Sequence, residues 1–96
     1  MRGVRQRKNL KEMHEWRYFI DNKDYLATTL ENDELDMKSF RISRAFKACM
    51  SDPSNNGKDS KRLYRNFMFV FHPDRYTASD ATAVSAFINQ FQHHML

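Results

Sequence analysis

The stretch Lys61-Arg62-Leu63-Tyr64-Arg65-Asn66-Phe67-Met68-Phe69-Val70-Phe71-His72-Pro73-Asp74-Arg75 decides how this chain is read. Its first eleven residues predict a helix over 61–71. Pro73 ends that helix, because proline disfavours the helical conformation in the residue before it and has no N–H to give. The same ring fixes the turn and limits its entropy. His72 then projects from a helix end. Asp74 offers a carboxylate that can accept a bidentate arginine from a partner. The plainer alternative is that Pro73 only stops a helix and Asp74 only caps a turn.

Downstream, residues 76–77 are loop and Ser79 or Asp80 can cap a last helix. Val84, Phe87, Ile88, Phe91 and Met95 recur at spacings of three, four and seven, which predicts its buried face. The loop between these two helices is short, so they must run antiparallel. Upstream, Ser51-Asp52-Pro53-Ser54-Asn55-Asn56-Gly57 is dense in turn formers and is the clearest loop in the chain. Asp59 or Ser60 can cap the helix that follows it. Before the loop, Met37, Phe40, Ile42, Ala45, Phe46 and Cys49 or Met50 suit an amphipathic helix beginning near 36. Farther back, Leu10, Met13, Trp16 (or Tyr18) and Ile20 fall at helical spacing. Asp21 and Asn22 look like a break, and a second helix over 25–30 leads into the acidic patch Glu31, Asp33, Glu34 and Asp36. Arg2, Arg5, Arg7, Lys8 and Lys11 form a basic start, read as a solvated first helical turn in preference to a nucleic-acid or membrane arm.

The fold class that follows is all-α. Two Gly and two Pro in 96 residues leave few breakers for a many-turned β fold. Eight Phe and four Tyr supply the large side chains that a short chain needs for a core. No apolar run approaches the roughly 18 residues that span a bilayer, and no amino-terminal apolar stretch suits a signal peptide. Cys49 stands alone, so no internal disulfide can form, and a reducing compartment fits. The expectation is a soluble intracellular chain, placed in the cytoplasm. Its net charge of +4 suits an acidic partner surface.

The quoted stretch resembles the J domain of the DnaJ co-chaperone family. The family signature is a His-Pro-Asp tripeptide after a basic amphipathic helix and before a helix with an aromatic seam. Here the tripeptide is intact at His72, Pro73 and Asp74. Tyr64 stands eight residues before it, Phe67 takes the place of a core leucine, Phe71 the preceding aromatic position and Arg75 the following basic one. Val84, Phe87 and Phe91 match the seam. The resemblance covers residues 36–96, read as the J domain, with 1–35 as a helical extension that either packs on the bundle or delivers the J domain to a client or assembly. A J-like segment at the carboxy terminus, after extra sequence, and an apolar run before the tripeptide are similar to auxilin-type members. No clathrin-binding motif is visible. No Gly/Phe-rich segment or Cys-rich zinc module follows either.

The resemblance implies an antiparallel helical hairpin with additional amino-terminal helices, and a regulatory binding module rather than an enzyme. It implies docking on a DnaK-type chaperone and stimulation of its ATP hydrolysis, with no cofactor. By that resemblance His72, Pro73 and Asp74 engage the chaperone where its nucleotide domain meets its interdomain linker. Lys58, Lys61, Arg62 and Arg65 form a basic face at i,i+3 and i,i+4 spacing toward an acidic surface, with Arg75 beside the tripeptide. Asn66 and Val70 stand where many J domains carry Lys or Arg, so the face is thinner than usual. That departure supports a second reading, a J-like scaffold without stimulation. A third, a small basic nucleic-acid binder, rests on residues 2–11, but no helix shows a row of base-reading side chains. Metal sites at His72 with Asp74, or at His93 with His94, lack a completing cluster. Cys49 paired with His14 or His72 as a thiol enzyme has no positioning support, and Cys49 reads as a small core residue. Trp16, Tyr18 and Phe19 read as core rather than as an exposed patch.

Overall fold

The structure is a computed structural model that describes residues 14–55 and 57–92. Five helices and no strand occur among the described residues, which bears out the all-α expectation. They are α1 (Glu15–Asp21), α2 (Lys23–Leu30), α3 (Leu35–Ser51), α4 (Lys58–Phe71) and α5 (Ala81–Asn89). Leu10, Met13, Met95, the basic residues between 2 and 11, and the pair His93 and His94 lie outside the described residues. No helix among the described residues is long and apolar enough to cross a membrane.

The breaks between helices follow from local chemistry. Asn22 is extended and ends α1, while its side-chain oxygen accepts a hydrogen bond from the Tyr25 N–H at 3.1 Å and caps α2. This cap starts α2 at Lys23, two residues before the apolar pattern becomes visible. Gly57 precedes α4 with φ of 88°, a left-handed conformation that glycine adopts without a Cβ penalty. α4 therefore begins at Lys58, and Asp59 and Ser60 sit inside its first turn instead of capping it. Ser60 is buried and accepts a hydrogen bond from the Asn55 amide at 3.0 Å. Asp80 does precede α5, but its carboxylate makes no capping bond there.

One apolar cluster draws on all five helices: Trp16 and Phe19 from α1, Leu26 and Leu30 from α2, Ile42, Phe46 and Cys49 from α3, Leu63, Phe67 and Phe71 from α4, Val84 and Ile88 from α5. Its centre is aromatic. Phe67 lies edge-on to Phe19 at 5.6 Å and against Phe46 at 5.5 Å, and Phe46 stacks on Phe91 at 4.5 Å. Phe87 and Phe91 are half-buried against this cluster, so the α5 face is drawn as its spacing predicts. Cys49 is fully buried, as a core residue.

Two expectations about faces need correction. Trp16, Phe19 and Ile20 form the inner face of α1, whereas Tyr18 is half exposed. On α3 the buried stripe runs Lys38, Ile42, Ala45, Phe46 and Cys49, so Met37 and Phe40 fall on the outer side and are 45% and 56% exposed. The apolar count misplaces the stripe because a lysine occupies its first position. α4 and α5 pack as an antiparallel pair: the Tyr64 hydroxyl, in the first half of α4, donates to the Asn89 side-chain oxygen at the end of α5, at 2.6 Å.

Candidate functional site

His72 leaves α4 in an extended conformation, φ −63° and ψ 137°, as expected for a residue before proline. Its N–H still donates to the Met68 carbonyl at 3.0 Å, which closes the helix. Its own carbonyl accepts from the Arg75 N–H at 2.9 Å and the Tyr76 N–H at 2.8 Å, so the turn is wound around one oxygen. The Asp74 N–H donates to His72 Nδ1 at 3.2 Å. With Nδ1 as the acceptor, the neutral imidazole carries its proton on Nε2, the nitrogen left for other partners. The Asp74 carboxylate stands 3.5 Å from Nδ1 and is 88% exposed, while the His72 side chain is 46% exposed. The imidazole is therefore held by a backbone N–H, and both it and the Asp74 carboxylate are open to solvent.

The far end of the loop is fixed by a lysine on α3. Lys38, only 3% exposed, donates to the Tyr76 hydroxyl at 2.5 Å and to the Asp80 carboxylate at 2.7 Å. Burial alone pulls the Lys38 ammonium down. Its hydrogen bonds to Asp80 and Tyr76 and their charges outweigh that, and the pKa is raised. Burial likewise pushes the Asp80 carboxyl up, and the hydrogen bonds from Lys38 and Tyr76 reverse it, leaving it lowered. Tyr76 also sets its ring edge-on to Phe71 at 5.0 Å. The loop is thus tied to the core at Phe71 and Tyr76, and to α3 at Tyr76 and Asp80.

The basic residues divide into two groups. Arg62, Arg65 and Arg75 line one open groove of about 710 Å³ together with His72 and Asp74. Lys58 and Lys61 are exposed on the first turn of α4 but do not line the groove. Lys58 lies roughly 20 Å along the helix from His72 at about 1.5 Å per residue. Pro73 is exposed and shapes the turn without lining the groove. Arg75 folds back along α4: its Nη1 donates to the Phe69 carbonyl at 3.4 Å, and its guanidinium lies 4.1 Å from the centre of the Phe69 ring.

Three contributors escape a reading of the sequence. Lys23, the first residue of α2, lines the same groove and places its ammonium 4.1 Å from the centre of the Phe69 ring. Phe69 itself is 44% exposed and forms part of the groove wall. Asn66 is buried, and its amide donates to the Phe19 and Ile20 carbonyls, each at 2.9 Å. These carbonyls belong to the last turn of α1, which has no intrahelical donor left for them. Asn66 thus clamps the end of α1 to α4. Asn66 has a packing role, and α1 and α2 cover that flank. Val70 is half-buried against the core and is likewise turned from solvent. Sequence spacing signals none of this, because Lys23 and Phe69 are separated by 46 residues and meet only through the tertiary packing of α1 and α2 on α4.

Elsewhere the chemistry is structural. No group of three or more His, Cys, Asp or Glu gathers closely enough among the described residues to hold a metal. Burial pushes the Cys49 thiol up, and its nearest polar contact is Ser60 Oγ at 3.7 Å. Glu15 accepts from the Tyr25 hydroxyl at 3.0 Å and from Arg44 at 3.3 Å, joining α1, α2 and α3. Comparison with protein-family models, with curated proteins and with solved structures gives no match to this chain.

Proposed function

We propose that the chain is a J-domain co-chaperone, a binding module without an active site of its own that docks on a DnaK-type chaperone and stimulates its ATP hydrolysis. One observation carries this reading. An intact His-Pro-Asp turn, tied to the core at Phe71 and Tyr76, opens its imidazole and its carboxylate to solvent beside Arg62 and Arg65 of the preceding helix. In this reading the residues divide the work. Pro73 sets the turn. Asp74 accepts a bidentate arginine from the partner, and His72 donates through Nε2. Arg62 and Arg65 meet acidic groups of the partner next to that contact. Lys58 and Lys61, farther along the helix, steer the encounter and act more weakly as salt is added. The scaffold reading drew on the neutral Asn66 and Val70. Both are turned toward the protein interior, so their neutrality does not count against stimulation.

The test is single-turnover ATP hydrolysis by several DnaK-type chaperones. The intact chain accelerates hydrolysis by at least one of them. His72→Gln, which changes an exposed side chain, leaves the fold intact and returns the rate to its unstimulated value. An intact chain that accelerates none of them overturns the reading.

A further inference from the structure

We propose that α2 completes the partner-binding face, and that Lys23 and Phe69 make the groove beside the tripeptide a seat for an extended acidic segment of the partner bearing an apolar side chain. The co-chaperone reading enters only in naming whose segment this is. Charge is the first argument. Lys23, Arg62, Arg65 and Arg75 line one groove, and the only acid lining it is the exposed Asp74, whose carboxylate stands 3.5 Å from His72 Nδ1. None of the four cations pairs with a carboxylate among the described residues. Their mutual repulsion is relieved when carboxylates enter, and the same field speeds the approach of an acidic chain.

The floor is the second argument, and it decides between an acidic peptide and a nucleic acid. Ile20, Met68 and Phe69 give the groove an apolar base. Single-stranded nucleic acid would use an exposed aromatic as a stacking platform. Two cations already lie over the Phe69 ring, each 4.1 Å from its centre, so that platform is taken. An aliphatic side chain can still lie along the ring edge beside Met68. The third argument is preorganisation. Asn22 caps the helix that begins at Lys23, and Asn66 clamps the turn before it, so Lys23 is delivered to the groove by the fold. The volume, about 710 Å³, falls within the ~300–1,000 Å³ of ordinary ligand clefts.

The probe is a fluorescein-labelled octapeptide of alternating Glu and Leu, titrated into the full chain and followed by anisotropy and by amide chemical shifts. Octaglutamate and octathymidylate are the comparison ligands. The expected result is binding of the Glu-Leu peptide with shifts at Lys23, Arg65 and Phe69, tighter than either comparison ligand. Lys23→Glu weakens it about tenfold, as expected for reversing one partly screened contact, while Lys23→Arg preserves it. Circular dichroism checks that both variants fold. Four results overturn the proposal: no binding of the peptide, an affinity indifferent to Lys23→Glu, octaglutamate binding as tightly as the Glu-Leu peptide, or octathymidylate doing so. The ATPase assay runs in parallel. Peptide binding without stimulation sinks the co-chaperone reading alone, and stimulation without peptide binding sinks the groove alone.

Discussion

Replacing Asn66 tests how α1 and α2 are held against α4. The side chain is buried and donates to two carbonyls at the end of α1. Asn66→Ala removes both donors and leaves two acceptors without protein partners. Leaving a buried polar group unsatisfied costs about 1–3 kcal/mol, and water entering the vacated space recovers part of that for a pair so close together. The expected loss is about 2–4 kcal/mol, a large share of the ~5–15 kcal/mol that holds a domain folded. For a domain of this length it lowers the melting temperature by roughly 10–25 °C. Urea unfolding followed by circular dichroism reads the free energy, and hydrogen exchange reads where it goes, with the amides of α1 losing most protection.

Two further substitutions at the same position separate a clamp from a lost surface charge. Asn66→Asp sets a carboxylate beside two carbonyl oxygens and is more damaging than alanine at neutral pH. Its folded pKa is then raised above the unfolded value, so the variant regains stability as pH falls toward the unfolded pKa and a protonated oxygen can donate again. Asn66→Lys introduces the charge that the resemblance to J domains leads one to expect at this position, but it buries an ammonium under α1. It destabilises, and it does not improve stimulation of a chaperone ATPase. The reasoning is refuted if Asn66→Ala changes stability by less than about 0.5 kcal/mol, the range of an ordinary surface substitution. It is equally refuted if Asn66→Lys raises stimulation at no cost in stability.

Other perturbations reach the remaining supports. Lys38→Met strands the Asp80 carboxylate and costs about 3 kcal/mol in urea unfolding, as breaking a buried pair by one partner does. In the intact chain the Lys38–Asp80 contribution is present above the ordinary carboxylate value of 3.8 and is lost as pH falls through the lower folded value of Asp80; in Lys38→Met that acid loss disappears. On the alkaline side the same contribution is fully present below 10.5 and is lost as pH rises from there through the raised folded value of Lys38. Cys49, fully buried with its thiol pushed up, reacts with iodoacetamide only at the rate of unfolding, and fast alkylation of the native chain would contradict its placement. Phe67→Ala removes the ring between Phe19 and Phe46 and costs about 3–5 kcal/mol, enough to leave much of the population unfolded near 40 °C by near-ultraviolet circular dichroism.

The helices were legible where apolar periodicity ran without competition. Val84 and Ile88 fall where spacing places them, and residues 52–55 form the expected loop, although Ser51, also expected in that loop, is the last residue of α3. The pattern misleads on α3, where Lys38 occupies a buried position. Hydropathy assigns lysine to the surface, and nothing near residue 38 announces that Asp80 and Tyr76 wait 38 to 42 residues away to satisfy it. Caps show the same asymmetry. Asp80 has the right chemistry and the right place to cap α5, yet a buried ammonium competes for its carboxylate. Asn22 was visible only as a break, although its side chain also starts the next helix. In the site, the tripeptide and the arginines of α4 could be read directly, because their spacing along one helix determines their proximity. Lys23 could not, because its place depends on a polar clamp whose donor reads in sequence as a missing charge.

That clamp changes what the extension is for. Had α1 and α2 been a separate delivery module, the flank of α4 beside the tripeptide would be open and Asn66 would stand in solvent. Instead their junction is bonded to α4 one turn before Phe69, and Trp16, Phe19, Leu26 and Leu30 enter the same apolar cluster as Phe67 and Phe71. The cost is that position 66 carries no charge. The return is a lysine at residue 23, held over Phe69 by elements that lie outside the resemblance. A surface assembled this way does not recognise its partner through α4 alone. If the proposed co-chaperone reading holds, whatever distinguishes one chaperone from another is expected to contact α2 as well as the loop.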